Sequence, residues 1–427
     1  MTQELNRRQF LDASVATAAT GYVVTHGAAL AQSEPNKKVV VGIMGLSRGR
    51  SLMSSFASQA NCEVRYVADV DENRLAAGAA ALEKQVGKAP RPVSDFRKIL
   101  DDKDVDALIC AAPNHWHAPA TIMGVAAGKH VYVEKPCSHN PREGELMIEA
   151  SRKYKRAVQM GTQRRSSKTI IEAMQMMWDG KIGRVYHSKG WYGNARGPIP
   201  KGMAGTPPAH LDYELWQGPA PRRPYIDNVL HYNWHWFWHY GNGELGNNGV
   251  HALDICRWGL QVDYPTKVVS AGGRYAFDDE QQTPDTHNVA FEFPGRKSIA
   301  WVGLSCNRHS EDFVEFYGEK GSLVIDGNGT YHFFDEKDKE TDTNKSNQGD
   351  IEHIDNFLAC IRNNTPLKLN QEILDGHKST LLCHLGNIAQ RTGRTLNCDP
   401  TNGHIKNDAE AMKLWGRDYE PGWEPKV

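Results

Sequence analysis

The chain has 427 residues and a formal charge of −1, from 50 Lys and Arg against 51 Asp and Glu. That balance argues against a polyanion partner such as nucleic acid. The length allows two domains with separate cores. The eight cysteines show no Cys-x-x-Cys and no metal-ligand spacing. Several sit inside apolar runs, as in "DALICAA" and "NFLACIR", so reduced and buried thiols are expected rather than a disulfide framework.

The first element in the chain is an export address. Arg7 and Arg8 are followed by Phe10 and Leu11, then by a small, apolar, uncharged stretch from Ala13 to Ala31 that ends in Ala29-Leu30-Ala31. This reads as a cleaved twin-arginine leader over residues 1–31, the bacterial route for proteins that cross already folded. The alternatives are a short membrane anchor or a basic amphipathic helix; as a spanning helix the run is weak, being rich in Ala, Thr and Gly and interrupted by His26, against the ~20 apolar residues a bilayer requires. No other run is long and apolar enough to span a membrane. The mature product is expected to be soluble, with no membrane attachment, and periplasmic or otherwise exported.

Residues 36–160 alternate short Val-rich strands ("KVVVGIM", "EVRYVAD", "DALICAA", "KHVYVE", "RAVQMG") with segments of helical periodicity. Strands apolar on both faces, linked by helices, predict a doubly wound parallel sheet of the Rossmann type. From 161 to 410 the pattern changes. "RVYHSKGWY", "TKVVSAGG", "HNVAFEF", "SIAWVGLS", "DFVEFYG", "GSLVID" and "GTYHFF" are strands cut by Gly, Pro and Asp turns. They predict an α+β domain around an open, mainly antiparallel sheet. "EKDKETDTNKSNQGD" reads as a charged, solvated loop, helices return in "DIEHIDNFLACIRNN" and "EILDGHKSTLLCHLGNIAQRTG", and 411–427 reads as an irregular arm.

The first strand runs into "GIMGLSRGR". Gly45, Ser47 and Gly49 sit where a Gly-x-Gly-x-x-Gly turn would bring the backbone against a pyrophosphate and aim the next helix's free N–H groups at it. Ser47 replaces the second glycine and the third comes one position early. The second strand ends in Asp69, 24 residues beyond Gly45, near the ~20-residue offset of a ribose-binding acid. A carboxylate there accepts from the ribose hydroxyls and repels a ribose phosphate. NAD is therefore the expected cofactor, with NADP left open by Ser47, Arg48 and Arg74.

"CAAPNHWHAPATIMGVAAGKHVYVEKPCSHN" carries Pro113-Asn114, His117 and Glu134-Lys135-Pro136. With "VQMGTQRRS", "GKIGRVYHSKGWY", "NFLACIRNNTP" and the stretch ending in His251, it resembles the glucose-fructose oxidoreductase and inositol dehydrogenase (Gfo/Idh/MocA) superfamily over nearly the whole mature chain. The resemblance implies a Rossmann domain followed by an open sheet whose face forms a sugar site and often a subunit interface, hence a homodimer or homotetramer. It places Pro113, Asn114, His117, Glu134 and Lys135 at the cofactor. It also gives Lys135 the reacting hydroxyl, where an ammonium stabilises the developing alkoxide and relays its proton. The family's Asp-x-x-x-His pair falls on Asn247 and His251. His251 becomes the general base. Asn247 departs from the family's aspartate and can only hydrogen-bond, so Glu244 or another acid would have to orient or charge the histidine.

In "LHYNWHWFWHYGNG" an extended segment would put His231, His235 and His239 on one face and the tryptophans on the other. A three-histidine metal site, a sugar-binding wall built from Trp234 and His235, and a plain aromatic core strand are the competing readings. No carboxylate or cysteine pattern supports the metal. Arg164, Tyr192 and Arg196 are further substrate-side candidates.

These readings converge on an NAD-dependent oxidoreductase that takes hydride from a secondary hydroxyl of a small-molecule sugar, glycoside or cyclitol. An exported enzyme cannot draw on the cytoplasmic nicotinamide pool, so the cofactor is expected to be tightly bound. Two alternatives stand beside this: a redox-neutral NAD-dependent glycoside hydrolase, lyase or epimerase that recycles its own cofactor, and a non-catalytic sugar-binding protein.

Overall fold

The structure is a computed structural model that describes residues 37–309, 311–345 and 350–427. The leader read at residues 1–31 lies outside the described residues.

Six parallel strands form the first sheet: β1 (Val39–Met44), β2 (Cys62–Ala68), β3 (Arg91–Val93), β4 (Ala107–Cys110), β5 (His130–Val133) and β6 (Val158–Met160). Their order is β3-β2-β1-β4-β5-β6. Every residue of β1, β4, β5 and β6 is buried, which is why these segments read as unbroken apolar runs. The order reverses direction between β1 and β4. A crevice opens there beyond the carboxyl ends of the strands, where ligands bind in such sheets.

The core under this sheet is not made by residues 36–160 alone. The helix Ile351–Arg362 lays Ile354, Phe357 and Leu358 against Val39, Val41, Ile43 and Phe56. Phe357 meets the rings of Phe56 and Tyr132 edge-on. The chain thus returns, some 200 residues after leaving the sheet, to complete its apolar layer.

The second sheet has ten strands, β7 (Val185–Ala195), β8 (Lys267–Gly273), β9 (Thr286–Phe293), β10 (Lys297–Leu304), β11 (Cys306–Asn307), β12 (Val314–Gly318), β13 (Gly321–Ile325), β14 (Tyr331–Phe334), β15 (Glu340–Asn344) and β16 (Leu396–Asn397). All pairings are antiparallel except β7 with β10. Burial alternates along β9 and β10, as a sheet with one covered face requires. Its covered face packs Ile299, Trp301 and Phe316 with Val250, Ile255 and Cys256 of the helix Val250–Leu260 and with Leu385 and Ile388 of the helix Ile373–Thr392.

A buried ion pair ties together three segments of the second half. Arg165 forks onto Asp254 at 2.9 and 3.0 Å, with side chains 5% and 1% exposed. Ser379 and Gln371 donate to the same carboxylate.

One expectation is corrected. The charged stretch after β14 is not all loop, because Glu340–Asn344 pairs with β14 as the sheet's edge strand. Its backbone needs only one partner there, so side chains pointing to water suffice. The C-terminal arm packs onto the first half. Trp415 is buried, Trp423 meets Trp116 edge-on at 5.1 Å, and Arg417 donates to Glu143 and to the His115 carbonyl. All eight cysteines are free thiols, six of them buried.

Candidate active site

The crevice at the β1–β4 reversal is a cavity of about 320 Å³. Its floor is the turn after β1. Gly45 has φ +87°, and a Cβ there would lie 2.7 Å from the Ala111 carbonyl oxygen, so only glycine lets the chain pass this close to β4. The helix Arg48–Ala57 then starts with no side-chain cap and no acid in its first turn. Uncapped N–H groups at the positive end of a helix are a ready anion site. Ser47 and Arg48 line the cavity. Gly49 does not: it faces Ile43 and the Ala111 methyl, where it lets the helix lie close on the sheet. Asp69 directly follows β2, with Oδ2 accepting from Leu46 N at 2.7 Å and Oδ1 from Asp71 N at 3.0 Å. Burial pushes its carboxyl pKa up, and the two backbone N–H groups oppose this. Opposite, Pro113 caps the helix Asn114–Ala126, and Asn114 and His117 line the wall. The His117 ring is wedged between the carbonyl oxygens of Ala112 (2.8 Å) and Pro136 (2.6 Å). It therefore holds the turn after Lys135 and has no free polar atom for a ligand. Arg48 reaches across to Glu134 at 3.2 Å and to both oxygens of Asp350 at 2.7 and 2.8 Å.

The crevice has a cap that the sequence did not reveal. Between β7 and the helix Val250–Leu260 the chain makes a long excursion back over the first sheet. Glu72 N donates to the His210 carbonyl, Asp212 N donates to the Val70 carbonyl, and Leu211 bridges Asp71. His231 Nε2 lies 3.0 Å from Asp71 Oδ2, the same carboxylate that caps the helix Glu72–Val86. Trp116 donates its indole N–H to the Trp216 carbonyl at 2.9 Å. Gly218 sits so close to Trp116 that any Cβ would overlap the ring. Leu215, Trp216, His231, Tyr232, Trp234 and His235 of this excursion roof the cavity.

At the far end of the cavity stand Lys135, Asn247 and His251. Lys135 follows β5 and donates from Nζ to the Asn247 carbonyl at 2.6 Å and to Asn247 Oδ1 at 3.0 Å. Loss of hydration pulls its pKa down, against the attraction of Glu134 and Glu244. Asn247 lies in a π-helical turn, Leu245–Gly249, that runs into Val250–Leu260; such turns widen a helix and recur at functional sites. His251 opens the regular helix with Nδ1 enclosed and unpartnered. Burial first, then the charges of Lys135, Arg164 and Arg48, hold its pKa well below the ordinary histidine value. The ring is neutral at pH 7.

A glycine cradle, an uncapped helix N-terminus, a ribose-distance acid and a lysine at the other end fit a nicotinamide dinucleotide. Residues 37–162 match the profile described as oxidoreductase family, NAD-binding Rossmann fold, and residues 160–424 the one described as oxidoreductase family, C-terminal alpha/beta domain. The chain belongs to the Gfo/Idh/MocA oxidoreductase family. It is similar to inositol 2-dehydrogenase of Salmonella typhimurium, 31% identical over 158 residues that cover 37% of this chain and 45% of the relative. It is also similar to levoglucosan dehydrogenase of Pseudarthrobacter phenanthrenivorans, 26% identical over 257 residues covering 54% and 58%. The matched part spans about half the length of these curated relatives. Among solved structures, aldose-aldose oxidoreductase of Caulobacter crescentus complexed with glycerol shares the fold at a TM-score of 0.64 and 22% identity, covering 84% of this chain and 100% of the other. A levoglucosan dehydrogenase complexed with NADH and levoglucosan does so at 0.65 and 18%, covering 84% and 99%.

Within the family frame, the surroundings of His251 differ from expectation. Asn247 does not orient the histidine; it holds Lys135. Glu244 does not take over, because its carboxylate is occupied by Arg196 at 2.6 Å and by the Asn248 amide. The π-turn shifts the register, so a four-residue spacing no longer stacks Asn247 on His251. Arg196 is likewise spent on Glu244 and the Tyr232 hydroxyl.

The aromatic segment is not extended. Asn233–Trp236 is a short 3₁₀ turn, so the two-residue alternation fails and the three histidines part. His231 pairs with Asp71, His239 bonds the Pro221 carbonyl at 2.8 Å, and His235 stacks on Trp234 with ring centroids 3.6 Å apart. Burial pushes His235 down to about 3. No group of three metal-ligating side chains converges among the described residues. Trp234 and His235 still face the crevice. Arg164 and Tyr192 line a second cavity, which shares His251 with the first. The contributions that sequence reasoning missed are Trp116, Leu215, Trp216 and Gln163. Apolar spacing around Trp116 hinted at helix, but only the returning excursion turns it into a cavity wall.

Proposed function

We propose that this protein oxidises a secondary hydroxyl of a sugar, glycoside or cyclitol, with NAD as hydride acceptor in the capped crevice. The observation that carries the reading is the Lys135 ammonium, tethered to Asn247 and sharing with the neutral His251 the cavity that the Gly45 turn and Asp69 line. Bound NAD would supply a ring able to accept hydride. Gly45, Ser47 and the helix N-terminus would hold its pyrophosphate, and the half-buried Asp69 carboxyl at the ribose distance favours a free ribose over a phosphorylated one.

Lys135 places positive charge where alkoxide develops, and a neutral partner leaves that charge uncancelled. His251, neutral and with Nδ1 free, accepts the hydroxyl proton. Its imidazolium is disfavoured beside Lys135, so the proton passes on to water and the base is reset. The roof formed by Trp216, Trp234 and His235 limits, without closing off, the water that reaches these charges.

The same roof, tied by backbone bonds to Val70 and Glu72, supports a cofactor retained through turnover. Retention suits the twin-arginine route and a periplasmic site, and it favours as second reading a cycle that returns the hydride within one site, as an epimerase or lyase does. The open sheet supports a homodimer or homotetramer, measurable by light scattering. Denaturing the purified protein and assaying released nicotinamide tests retention; about one equivalent per chain is expected, and empty protein counts against it. Incubation with neutral and acidic sugars and with cyclitols then separates the readings. Keto product with reduced nicotinamide supports the oxidoreductase, cleaved or epimerised product without net reduction supports the second reading, and neither outcome refutes both.

A further inference from the structure

The second cavity, also about 320 Å³, opens on the other side of His251 and is walled by Arg164, Trp191, Tyr192, Asn248, Glu311 and Phe313. Two of its N–H donors have no acceptor: Arg164 Nη1 and Trp191 Nε1 are enclosed and unpartnered. The Arg164 guanidinium is held in place rather than loose. It lies over the Phe313 ring at 3.9 Å and spends Nη2 on the Gly327 carbonyl at 2.8 Å. Among the described residues no carboxylate forms an ion pair with it. Glu311, the acid in the cavity wall, is paired with Lys189, and Asp326, the acid whose charge acts on Arg164, accepts from the backbone N–H groups of Asn328 and Thr330. Burial pulls the Arg164 pKa down to about 10, with only the charge of Asp326 opposing. A buried cation with fixed orientation and spare donors is costly unless something anionic completes it.

We propose that this cavity is a carboxylate subsite, so that the sugar or cyclitol oxidised at Lys135 and His251 carries an acid group held by Arg164 and Trp191. The inference rests on the proposed oxidoreductase reading. Carboxylate is the anion favoured here. A guanidinium stacked on a ring presents a planar edge that matches a planar acceptor, and the second donor is a single indole N–H. Because His251 borders both cavities, a ligand anchored by its acid presents its ring hydroxyls to the base.

The test uses the cofactor-loaded protein and binding by calorimetry, so it does not depend on turnover. D-glucuronate and D-galacturonate are compared with their methyl esters, with D-glucose and D-galactose, and with glucose 6-phosphate. The acids are expected to bind at least about tenfold more tightly than their esters or the neutral sugars. Arg164→Gln is expected to collapse that ratio and Arg164→Lys to restore part of it. Equal binding of acid and ester by the unmutated protein overturns the proposal without need of a variant. A preference that survives Arg164→Gln also overturns it, as does tighter Arg164-dependent binding of glucose 6-phosphate, which would assign the site to phosphate. Nicotinamide reduction, read separately at 340 nm, keeps the two ideas apart. Arg164-dependent acid binding without reduction by any sugar leaves the subsite standing and sinks the oxidoreductase reading. Oxidation of neutral sugars with no acid preference does the reverse.

Discussion

Replacing Asn247 by aspartate would put a carboxylate where a neutral amide oxygen now lies 3.0 Å from the Lys135 ammonium. Two unit charges at that distance attract by roughly 5 kcal/mol at an effective dielectric constant of ~20. The new carboxylate loses hydration on entering the crevice, and an adjacent opposite charge in proteins raises proton affinity by about tenfold to a thousandfold in practice. The sign is definite. Desolvation now holds the Lys135 pKa below the ordinary lysine value, and Asn247→Asp favours the protonated form, so deprotonation moves to higher pH. Competitive acetylation of Lys135 across a pH series, read by mass spectrometry of the lysine-containing peptide, reports this without any substrate. At a pH where the parent amine reacts readily, the variant should react about tenfold more slowly or less. Once a substrate is in hand, the limb of the turnover profile belonging to Lys135 should move the same way. An unchanged midpoint, or one displaced to lower pH, would refute the view that the amide's neutrality tunes this lysine.

Gly45→Ala adds a Cβ 2.7 Å from the Ala111 carbonyl at φ +87°; a cost of about 1–3 kcal/mol is expected, with loss of most bound nicotinamide, checked by thermal melting and by absorbance of the released cofactor. Arg165→Met strands the Asp254 carboxylate in the interior and should lower the unfolding free energy by about 3–5 kcal/mol, while Arg165→Met with Asp254→Leu should recover much of it; urea midpoints decide. Acid should destabilise the fold well before the carboxylates titrate. Burial pushes His353 and His377 down to about 4 and His384 to about 3, whereas in the unfolded chain they titrate near 6.5. Between those values the unfolded state binds protons that the folded state refuses, so stability falls as pH drops from about 6.5 to 4, by up to about 3 kcal/mol per histidine. Urea midpoints that stay level across that range would contradict the burial of these rings.

What could be read in advance followed the range of the forces involved. The β1 turn, the acid following β2 and the Lys135 turn are local arrangements, each set by a few consecutive residues, and the structure gathers them around one cavity. Expectations failed where neighbours distant in sequence decided the outcome. The aromatic stretch alternates by two, yet it curls into a 3₁₀ turn because His231 is drawn to Asp71 and His239 to the Pro221 carbonyl. The polar run after β14 has weak strand character and became a strand only because β14 offered an unpaired edge. Spacing suggested that Asn247 would serve His251; a π-turn rotated it to Lys135 instead.

By itself the amino-acid order determined a Rossmann sheet followed by an open sheet, and the dinucleotide-binding character of the first. Periodicity, glycine conformation and strand-end chemistry are short-range and survive without knowledge of the rest. Only the tertiary structure decided that an excursion from the second half roofs the cofactor crevice, that Lys135 rests on an uncharged partner, and that Arg164 and Trp191 share a cavity with His251. Those facts depend on backbone bonds and charge pairings between segments far apart in the chain, whose energies exist only once folding has brought them together.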